Sequence, residues 1–167
     1  MFSNLKKLVL NLIIPLAVGG LSSLLIKDQI SNYQLLNQPA LAPPAILFPI
    51  VWSILYILMG IATYLISISK ADTTQQEPSD AEYCTKKQAY QNYGIQLFFN
   101  FLWSPVFFGL GDYFAALVIL ALLWYFVYQT MICYYSINKA AGLLLLPYLL
   151  WITFAGYLNF SILLLNR

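Results

Sequence analysis

The stretch LNQPALAPPAILFPIVWSILYILMG, residues 36–60, joins two different kinds of sequence. Its first half contains Pro39, Pro43 and Pro44, whose fixed φ and missing N–H hold the chain extended and oppose a helix. Its second half is an apolar run with Pro49 in the first turns, where a missing backbone donor costs least. The stretch therefore predicts an extended loop that ends where a long apolar helix begins.

The composition of the whole chain places that helix in a membrane. Of the 167 residues, 61% are hydrophobic and only 8% are charged, whereas charged residues make up about a quarter of a soluble domain. Five apolar segments each have about the 20 residues that cross a hydrocarbon core. They are residues 6–26, 46–69, 90–109, 113–136 and 143–165. We therefore predict an all-α membrane protein, a bundle of five transmembrane helices with a lid-like first loop, in a single domain over 1–167.

Lysine and arginine are distributed unequally between the two ends of these spans. One side carries six of them, Lys6, Lys7, Lys70, Lys86, Lys87 and Lys139, and the other carries two, Lys27 and Arg167. Basic residues flanking membrane spans favour the cytoplasmic side. In an inner membrane, this distribution predicts a cytoplasmic N-terminus and a first loop on the outer side.

Several classes of function lack the residues that they need. The net charge of +2 comes from scattered basic residues, so nucleic-acid binding is not expected. The chain has no histidine, and its two cysteines, Cys84 and Cys133, lie far apart without a CxxC pattern. We expect no metal site and no bond between these cysteines. No charged residue lies in the middle of a span, which argues against an ion pump or a proton-coupled carrier, and no nucleophile–base pair or carboxylate pair indicates an enzyme.

Polar and aromatic side chains instead recur at helical spacing within three spans. The three sets are Trp52, Tyr56, Gly60 and Thr63; Gln96, Asn100, Trp103 and Phe107; and Pro147, Trp151, Ala155 and Leu158, with Asn159 beside them. Unsatisfied amides are costly in hydrocarbon, so these faces should point into the bundle. Packing between helices is the favoured role of Asn159, whereas Asn100 suits packing and ligand binding equally. Prolines within the spans can leave space between helices, so the sequence predicts a cavity for a large, flat, apolar ligand.

Three segments of the chain resemble the signature segments of a known family. They are QPALAPPAILFPIVWSILYILMGIATYL, LFFNFLWSPVFFGL and AAGLLLLPYLLWITFAGYLN, at residues 38–65, 97–110 and 140–159. They are similar to those of the translocator protein (TSPO/MBR) family, also called the peripheral benzodiazepine receptor or tryptophan-rich sensory protein family. The resemblance implies a receptor or transporter-like protein that binds porphyrins, such as protoporphyrin IX and heme precursors, and hydrophobic drug-like molecules. The porphyrin is then a ligand, and no cofactor is required.

Most of the expected ligand-binding residues follow from matching this chain to the family pattern. They are Tyr33, Pro43, Phe48, Trp52, Tyr56, Asn100, Trp103, Phe107, Trp151 and Ala155. Trp52 and Trp151 would act together in the first alternative function, a light-dependent breakdown of bound porphyrin. Whether these two indoles meet depends on the order of the helices, which residue spacing does not give. The second alternative is a regulatory or stress-signalling membrane protein that acts through a partner.

Two positions depart from the family pattern, and one set of residues suggests self-association. Leu41 stands in the first loop where many members carry tryptophan. Tyr157 lies ten residues from Arg167, too far for the cholesterol-recognition pattern, so cholesterol binding is not supported. Small residues allow helices to approach closely in a membrane, and the sequence predicts a homodimer on this basis. The small residues in question are Ala115, Ala116 and Ala121.

Overall fold

Long apolar helices make up most of the chain. The computed structural model describes residues 2–27, 29, 33, 35–44, 46–69 and 84–166. Its helices are α1 (Phe2–Ile26), α2 (Leu47–Ile68), α3 (Lys86–Ser104), α4 (Tyr113–Ile137), α5 (Lys139–Leu144) and α6 (Leu146–Leu165). A helix satisfies its backbone hydrogen bonds internally, as a segment in hydrocarbon must. Among the described residues, five spans are long and apolar enough to cross a membrane, with α5 and α6 together forming the fifth. The predicted all-α, five-span fold is confirmed.

The spans form a ring whose order only the structure supplies. The first span, α1, packs along α2 and α3, and α3 packs along α4. In turn, α4 packs against α5 and α6, and α5 closes the ring by packing against α2. The first loop, the α3–α4 turn and the end of α6 lie at one end of the bundle, which we call the first-loop end. The N-terminus, residue 69, residue 84 and the α4–α5 junction lie at the opposite, second-loop end.

Three spans begin earlier than hydropathy predicted, the first, third and fifth, and polar residues cap two of them. The Thr85 hydroxyl oxygen accepts a hydrogen bond from the Gln88 N–H, so α3 starts at Lys86 rather than near residue 90. The Asn138 side-chain oxygen accepts from the Ala141 N–H, so the fifth span starts at Lys139. Such caps satisfy backbone donors that have no partner within the helix.

Proline and glycine shape the two helix ends nearest to the site. At Pro105 the α3 helix widens into a π-helical segment, Pro105–Leu110, and Gly111 ends it with a φ of 66°. Proline lacks the N–H that a regular turn would use, and a positive φ favours glycine. The fifth span is broken at Leu145, with Pro147 in the first turn of α6. Both irregularities occur at prolines within the predicted spans.

The second-loop end is packed closely through a glycine. A Cβ added to Gly142 would lie 2.6 Å from the Cα and 2.7 Å from the N of Tyr135. Glycine therefore lets the start of the fifth span touch the backbone at the end of the fourth. Polar contacts add to this packing, since the Lys86 ammonium donates to the Ser69 carbonyl oxygen and the Asn138 amide donates to the Ser69 hydroxyl at 3.3 Å.

One expectation from the sequence is wrong, because Cys84 and Cys133 form a disulfide. Their Cα atoms are 5.1 Å apart, within the range that a disulfide requires. Cys84 lies just before the start of α3 and Cys133 lies near the end of α4, so antiparallel packing brings together two residues that are 49 positions apart. The expectation relied on the distance between the two cysteines along the chain. The antiparallel hairpin of α3 and α4 brings them together in space.

The acidic second loop, residues 70–83, lies outside the described residues, as do Lys70 and Arg167 from the count of basic residues. The five described lysines of the predicted cytoplasmic side all lie towards the second-loop end, and Lys27 lies at the first-loop end. The unequal charge distribution therefore persists within the described part of the chain.

Candidate functional site

A cavity of about 430 Å³ lies between α1, α2 and α3 at the first-loop end. Helix α1 supplies small side chains, α2 and α3 supply aromatic ones, and the first loop supplies a tyrosine. The lining residues used below are Gly19, Ser22, Tyr33, Phe48, Trp52, Tyr56, Asn100 and Trp103. No described lining residue carries a charge. A cavity of this size and character is typical of sites for small apolar molecules.

Aromatic rings form one continuous wall of this cavity. Trp52 stacks on Tyr56 with ring centroids 5.6 Å apart, and it approaches Trp103 at 6.5 Å with 33° between the ring planes. Trp103 in turn stacks on Phe107 at 5.2 Å. These spacings are those of attractive aromatic pairs. The two indoles, predicted separately on the second and third spans, therefore belong to one surface.

Asn100 connects this wall to the fifth span by hydrogen bonds. Its side-chain oxygen accepts from the Tyr56 hydroxyl at 2.8 Å, and its amide N–H donates to the Tyr148 hydroxyl oxygen at 2.8 Å. All three side chains are buried, where an unpaired polar group is costly. Asn100 thus joins α2, α3 and α6, and it lines the cavity as well, so both roles weighed for it are compatible with its position.

Gly19 makes room for the aromatic wall. A Cβ at this position would overlap the ring of Tyr56. The neighbouring Ser22 hydroxyl donates to the Phe101 carbonyl oxygen at 3.4 Å, which ties α1 to α3 beside the cavity. These α1 residues were not among the predicted site residues. The run GGLSS at residues 19–23 is the signal that could have indicated them, since small residues mark close contacts between membrane helices.

The first loop covers the cavity with Tyr33. This side chain is 6% exposed and packs on Phe48, Phe107 and Phe108 with centroids 5.5–6.1 Å apart. Burial raises the pKa of the Tyr33 phenol above its ordinary value of 10.0, so the hydroxyl is neutral at physiological pH. The predicted lid is therefore placed over the cavity by an apolar anchor.

Two asparagines fasten the loop to the end of the fifth span. The Asn37 backbone N–H donates to the Asn166 side-chain oxygen at 2.9 Å, and the Asn166 amide donates back to the Asn37 carbonyl oxygen at 3.1 Å. These exposed hydrogen bonds are weak individually. We call this reciprocal pair the Asn37–Asn166 clasp. Pro43, which was predicted to touch a ligand, lies half-buried in the same loop and does not line the cavity.

The predicted residues of the fifth span lie outside this cavity. Trp151 lines a separate, open groove of about 420 Å³ between α2 and α6. Phe48 lies between the two spaces, because it lines the cavity and also meets Trp151 edge-on at 6.0 Å. Ala155 and Phe107 line a small void of about 10 Å³ beneath Tyr33. The structure therefore brings together Trp52 and Trp103, and it separates Trp52 from Trp151.

Other polar residues serve packing. The Asn159 oxygen accepts from the Trp103 indole N–H at 3.2 Å, and its amide donates to the Tyr113 carbonyl oxygen at 2.8 Å, in agreement with the role expected for it. The Trp124 indole donates to the Thr153 hydroxyl at 2.9 Å and so joins α4 to α6.

One of the small residues considered for a homodimer is inside the bundle. Ala116 is fully buried, so it cannot contribute to a face between two copies.

The chemistry available to the cavity is binding by apolar contact with a few hydrogen bonds. The Ser22 and Tyr56 hydroxyls and the Asn100 amide make hydrogen bonds, and the indoles offer flat surfaces. Within the described ranges, no group of three or more metal-binding side chains is close enough to hold a metal ion. The geometry suits a ligand that is flat, aromatic and largely uncharged where it is enclosed.

Comparison with known proteins identifies relatives of this chain. The TspO/MBR family model matches residues 11–165. A tryptophan-rich protein TspO from Chlorobaculum tepidum is 41% identical over 134 residues, which cover 80% of this chain and 78% of the relative. A tryptophan-rich protein TspO from Archaeoglobus fulgidus is 36% identical over 98% of this chain and 99% of its own length. The translocator protein of Homo sapiens is 31% identical over 78% of this chain and 72% of its own length.

The fold and the cavity together define an integral, multi-pass membrane protein with an aromatic cavity inside a five-span bundle. The family model matches almost the whole chain, so the protein can also be assigned to a family. The chain belongs to the TspO/MBR family, as the three signature segments had indicated.

Proposed function

We propose that this protein is a membrane receptor that binds porphyrins, such as protoporphyrin IX, and other flat apolar molecules in the cavity between α1, α2 and α3. The observation that supports this most directly is the aromatic wall of Trp52 and Trp103 in a cavity of about 430 Å³ without described charged lining. A flat conjugated ring gains stacking energy on such a wall. The family resemblance supports the same class of ligand.

Within this proposal the residues have different roles. Trp52 and Trp103 supply stacking surfaces, and Tyr56 and Asn100 keep the wall fixed through their hydrogen bond. Tyr33 closes the cavity from the first loop. Trp151 does not line the cavity and affects the ligand only indirectly, through its contact with Phe48. Binding should therefore depend strongly on Trp52 and weakly on Trp151.

A titration of the purified full-length protein with protoporphyrin IX tests this proposal. The absorbance shift of the porphyrin is a better signal than tryptophan fluorescence, because the variants change the number of indoles. Trp52→Ala should raise Kd about tenfold, since it removes a stacked ring and its apolar area. Trp151→Ala is the matched control and should change Kd less than about twofold. Equal losses in both variants, or no saturable shift in the wild type, would rule out binding at this cavity.

The second candidate is the light-dependent breakdown of bound porphyrin with molecular oxygen as oxidant. It is favoured by the close arrangement of Trp52, Tyr56 and Trp103 along the cavity wall, because these side chains are oxidisable and would lie beside the ligand. Illumination of the complex while porphyrin absorbance is followed separates the two candidates. Loss of absorbance that needs Trp52 and does not need Trp151 supports breakdown, and a stable complex under light supports binding alone.

We further propose that, in an inner membrane, the N-terminus lies in the cytoplasm and the first loop lies outside. Among the described residues, five of the six lysines flank the spans at the second-loop end, and this charge bias sets orientation in multi-pass proteins. Protease treatment of spheroplasts and of inverted vesicles tests the orientation. An N-terminal tag cleaved in intact spheroplasts would contradict it. The cavity would then open, beneath the first loop, at the outer face.

A further inference from the structure

The disulfide between Cys84 and Cys133 is the feature that the binding function leaves unexplained. Cys84 immediately precedes Thr85, the cap of α3, and Cys133 lies in the last turns of α4. The bond therefore ties the start of one span to the end of the next, beside the second loop. These are the only two cysteines in the chain, so its thiol chemistry is confined to this pair.

A polar groove gives access to this bond. The groove has a volume of about 360 Å³, and both cysteines line it together with Gln88, Asn92 and Gln129. Cys84 is half-buried, whereas Cys133 is only 4% exposed. An incoming thiolate would therefore reach the Cys84 sulfur first, and the Cys133 sulfur would be the leaving group.

The surrounding groups favour such an exchange. The Asn92 amide N–H donates to the Cys133 sulfur at 3.6 Å, so it can stabilise negative charge that develops there. Cys84 lies at the positive end of α3, and Lys86 and Lys87 open that helix. A helix N-terminus and neighbouring lysines stabilise a thiolate. Both sulfurs thus have a group that supports their anionic form.

The location of the bond conflicts with a purely structural role. The bond lies at the second-loop end, where the basic residues concentrate, and the proposed orientation puts this end in the cytoplasm. Glutathione and thioredoxin keep cytoplasmic thiols reduced, and disulfides found there are usually transient ones with catalytic or redox-sensing roles.

We propose that Cys84 and Cys133 form a reversible thiol–disulfide site that fastens α3 to α4 when a peroxide oxidises it and releases them when a low-molecular-weight thiol reduces it. This inference rests on the orientation part of the proposed function and does not depend on the ligand. The oxidised form fixes the start of the span that carries Asn100 and Trp103. The redox state of the membrane's cytoplasmic face thus determines whether α3 is covalently tied to its neighbour.

Both directions of the reaction are balanced with these reagents. In oxidation, the Cys84 thiolate attacks a peroxide oxygen and becomes a sulfenic acid as the O–O bond breaks; with hydrogen peroxide, the other oxygen leaves as hydroxide and takes a proton from solvent to form water. The Cys133 thiolate then attacks the sulfenic sulfur, and a second hydroxide leaves and is protonated to water. In reduction, one thiolate opens the disulfide at Cys84 to give a mixed disulfide, and a second thiol releases Cys84 as an oxidised dimer of the reagent forms.

Thiol trapping on the full-length protein in living cells tests the proposal. Cells are quenched with acid, free thiols are labelled with a maleimide-linked polymer, and labels are counted by gel mobility. Most molecules should carry two labels in unstressed cells and none after brief treatment with hydrogen peroxide. Both labels should return after the peroxide is removed. Molecules that stay unlabelled under all conditions, or doubly labelled throughout peroxide treatment, would overturn the proposal.

Single-cysteine variants control for other thiol chemistry. Cys84→Ser should keep one label before and after peroxide, because Cys133 then has no partner. Loss of that label would show that Cys133 is oxidised without forming the bond, against the proposal. In detergent, Asn92→Leu should slow reduction by glutathione about fivefold through loss of its contact with the Cys133 sulfur. Gln129→Leu is the control, because the Gln129 amide donates to the Tyr125 hydroxyl at 3.0 Å, and it should leave the rate unchanged. Equal rates in the two variants would remove the role of Asn92.

The protease test separates this inference from the proposed function. An N-terminal tag found outside, together with a disulfide that is always oxidised, would overturn both the orientation and the redox site. Porphyrin binding would stand unaffected by that result. Absence of porphyrin binding, with labels that respond to peroxide, would remove the ligand proposal and keep the redox site.

Discussion

The two ends of the bundle are built in different ways. At the second-loop end, a disulfide, a close glycine contact and hydrogen bonds to Ser69 hold four spans together. At the first-loop end, α1, α2 and α3 surround a cavity of about 430 Å³, which Tyr33 and the Asn37–Asn166 clasp cover. Covalent and backbone-level contacts dominate at one end, and side-chain contacts around empty space dominate at the other.

Because of this difference, the second-loop end contributes mainly to the stability of the protein and the first-loop end mainly to ligand binding. Side chains that line empty space lose the dispersion contacts that a filled interior would give them, so the first-loop end gives up packing to keep a site. The second-loop end can supply compensating stability through its disulfide and its backbone-level contact at Gly142, although a groove of about 360 Å³ lies beside the disulfide. Substitutions at the second-loop end should therefore change stability most, and those at the first-loop end should change binding most.

The largest effect is expected at Gly142. Gly142→Ala would place a Cβ 2.6 Å from the Cα of Tyr135, and backbone cannot yield as a side chain can. We expect a loss of about 3 kcal/mol, measured as a large fall in Tm of the detergent-solubilised protein. Gly20→Ala is the matched control, because nothing lies within 4 Å of its added Cβ. Similar Tm values for the two variants would show that this contact does not hold the second-loop end together.

The next effect is expected at Asn100. Asn100→Leu leaves the buried Tyr56 and Tyr148 hydroxyls without their partner, at a cost of about 2 kcal/mol. Gln96→Leu, one turn away, removes only a 3.6 Å contact to the Met59 sulfur and a side-chain oxygen without a partner among the described residues. It should therefore be close to neutral in chemical unfolding. A larger loss for Gln96→Leu would contradict the assignment of the Asn100 hydrogen bonds as the link between α2, α3 and α6.

A smaller stability effect with a clear binding effect is expected at Gly19. The Cβ of Gly19→Ala overlaps a side-chain ring, that of Tyr56, and this ring borders a cavity into which it can turn. The loss of stability should be about 1 kcal/mol, because the hydrogen bond to Asn100 is weakened. The porphyrin Kd should rise about tenfold as the ring enters the cavity. Unchanged Kd together with a displaced Tyr56 would place the ligand elsewhere.

The smallest stability effect is expected at the Asn37–Asn166 clasp. Asn166→Ala removes exposed hydrogen bonds between the loop and α6, which should cost less than about 1 kcal/mol. Because the clasp holds the cover of the cavity, porphyrin should dissociate several times faster in stopped-flow measurements. Asn11→Ala, whose amide bonds only within its own helix, is the control. Equal dissociation rates for the two variants would show that the loop does not limit release.

Local features of the chain were predictable because each depends on neighbouring residues. Apolar length marked all five spans, and the spacing of Trp52 with Tyr56 and of Asn100 with Trp103 placed them on inward faces. The true starts of α3 and α5 were missed by a few residues, because caps by Thr85 and Asn138 extend these helices into polar sequence. Hydropathy averages over such residues and cannot detect a single hydrogen bond.

The sequence by itself determined the membrane environment, the number of spans, the family and the inward aromatic faces, since composition and helical periodicity are local properties. Only the tertiary structure decided which faces meet. It joined Trp52 to Trp103, put Phe48 between the cavity and the groove that Trp151 lines, brought Gly19 of α1 to the cavity wall, and paired Cys84 with Cys133. The physical reason is that helix order and the antiparallel pairing of α3 with α4 arise from contacts between spans, and residue spacing within a span carries no record of them.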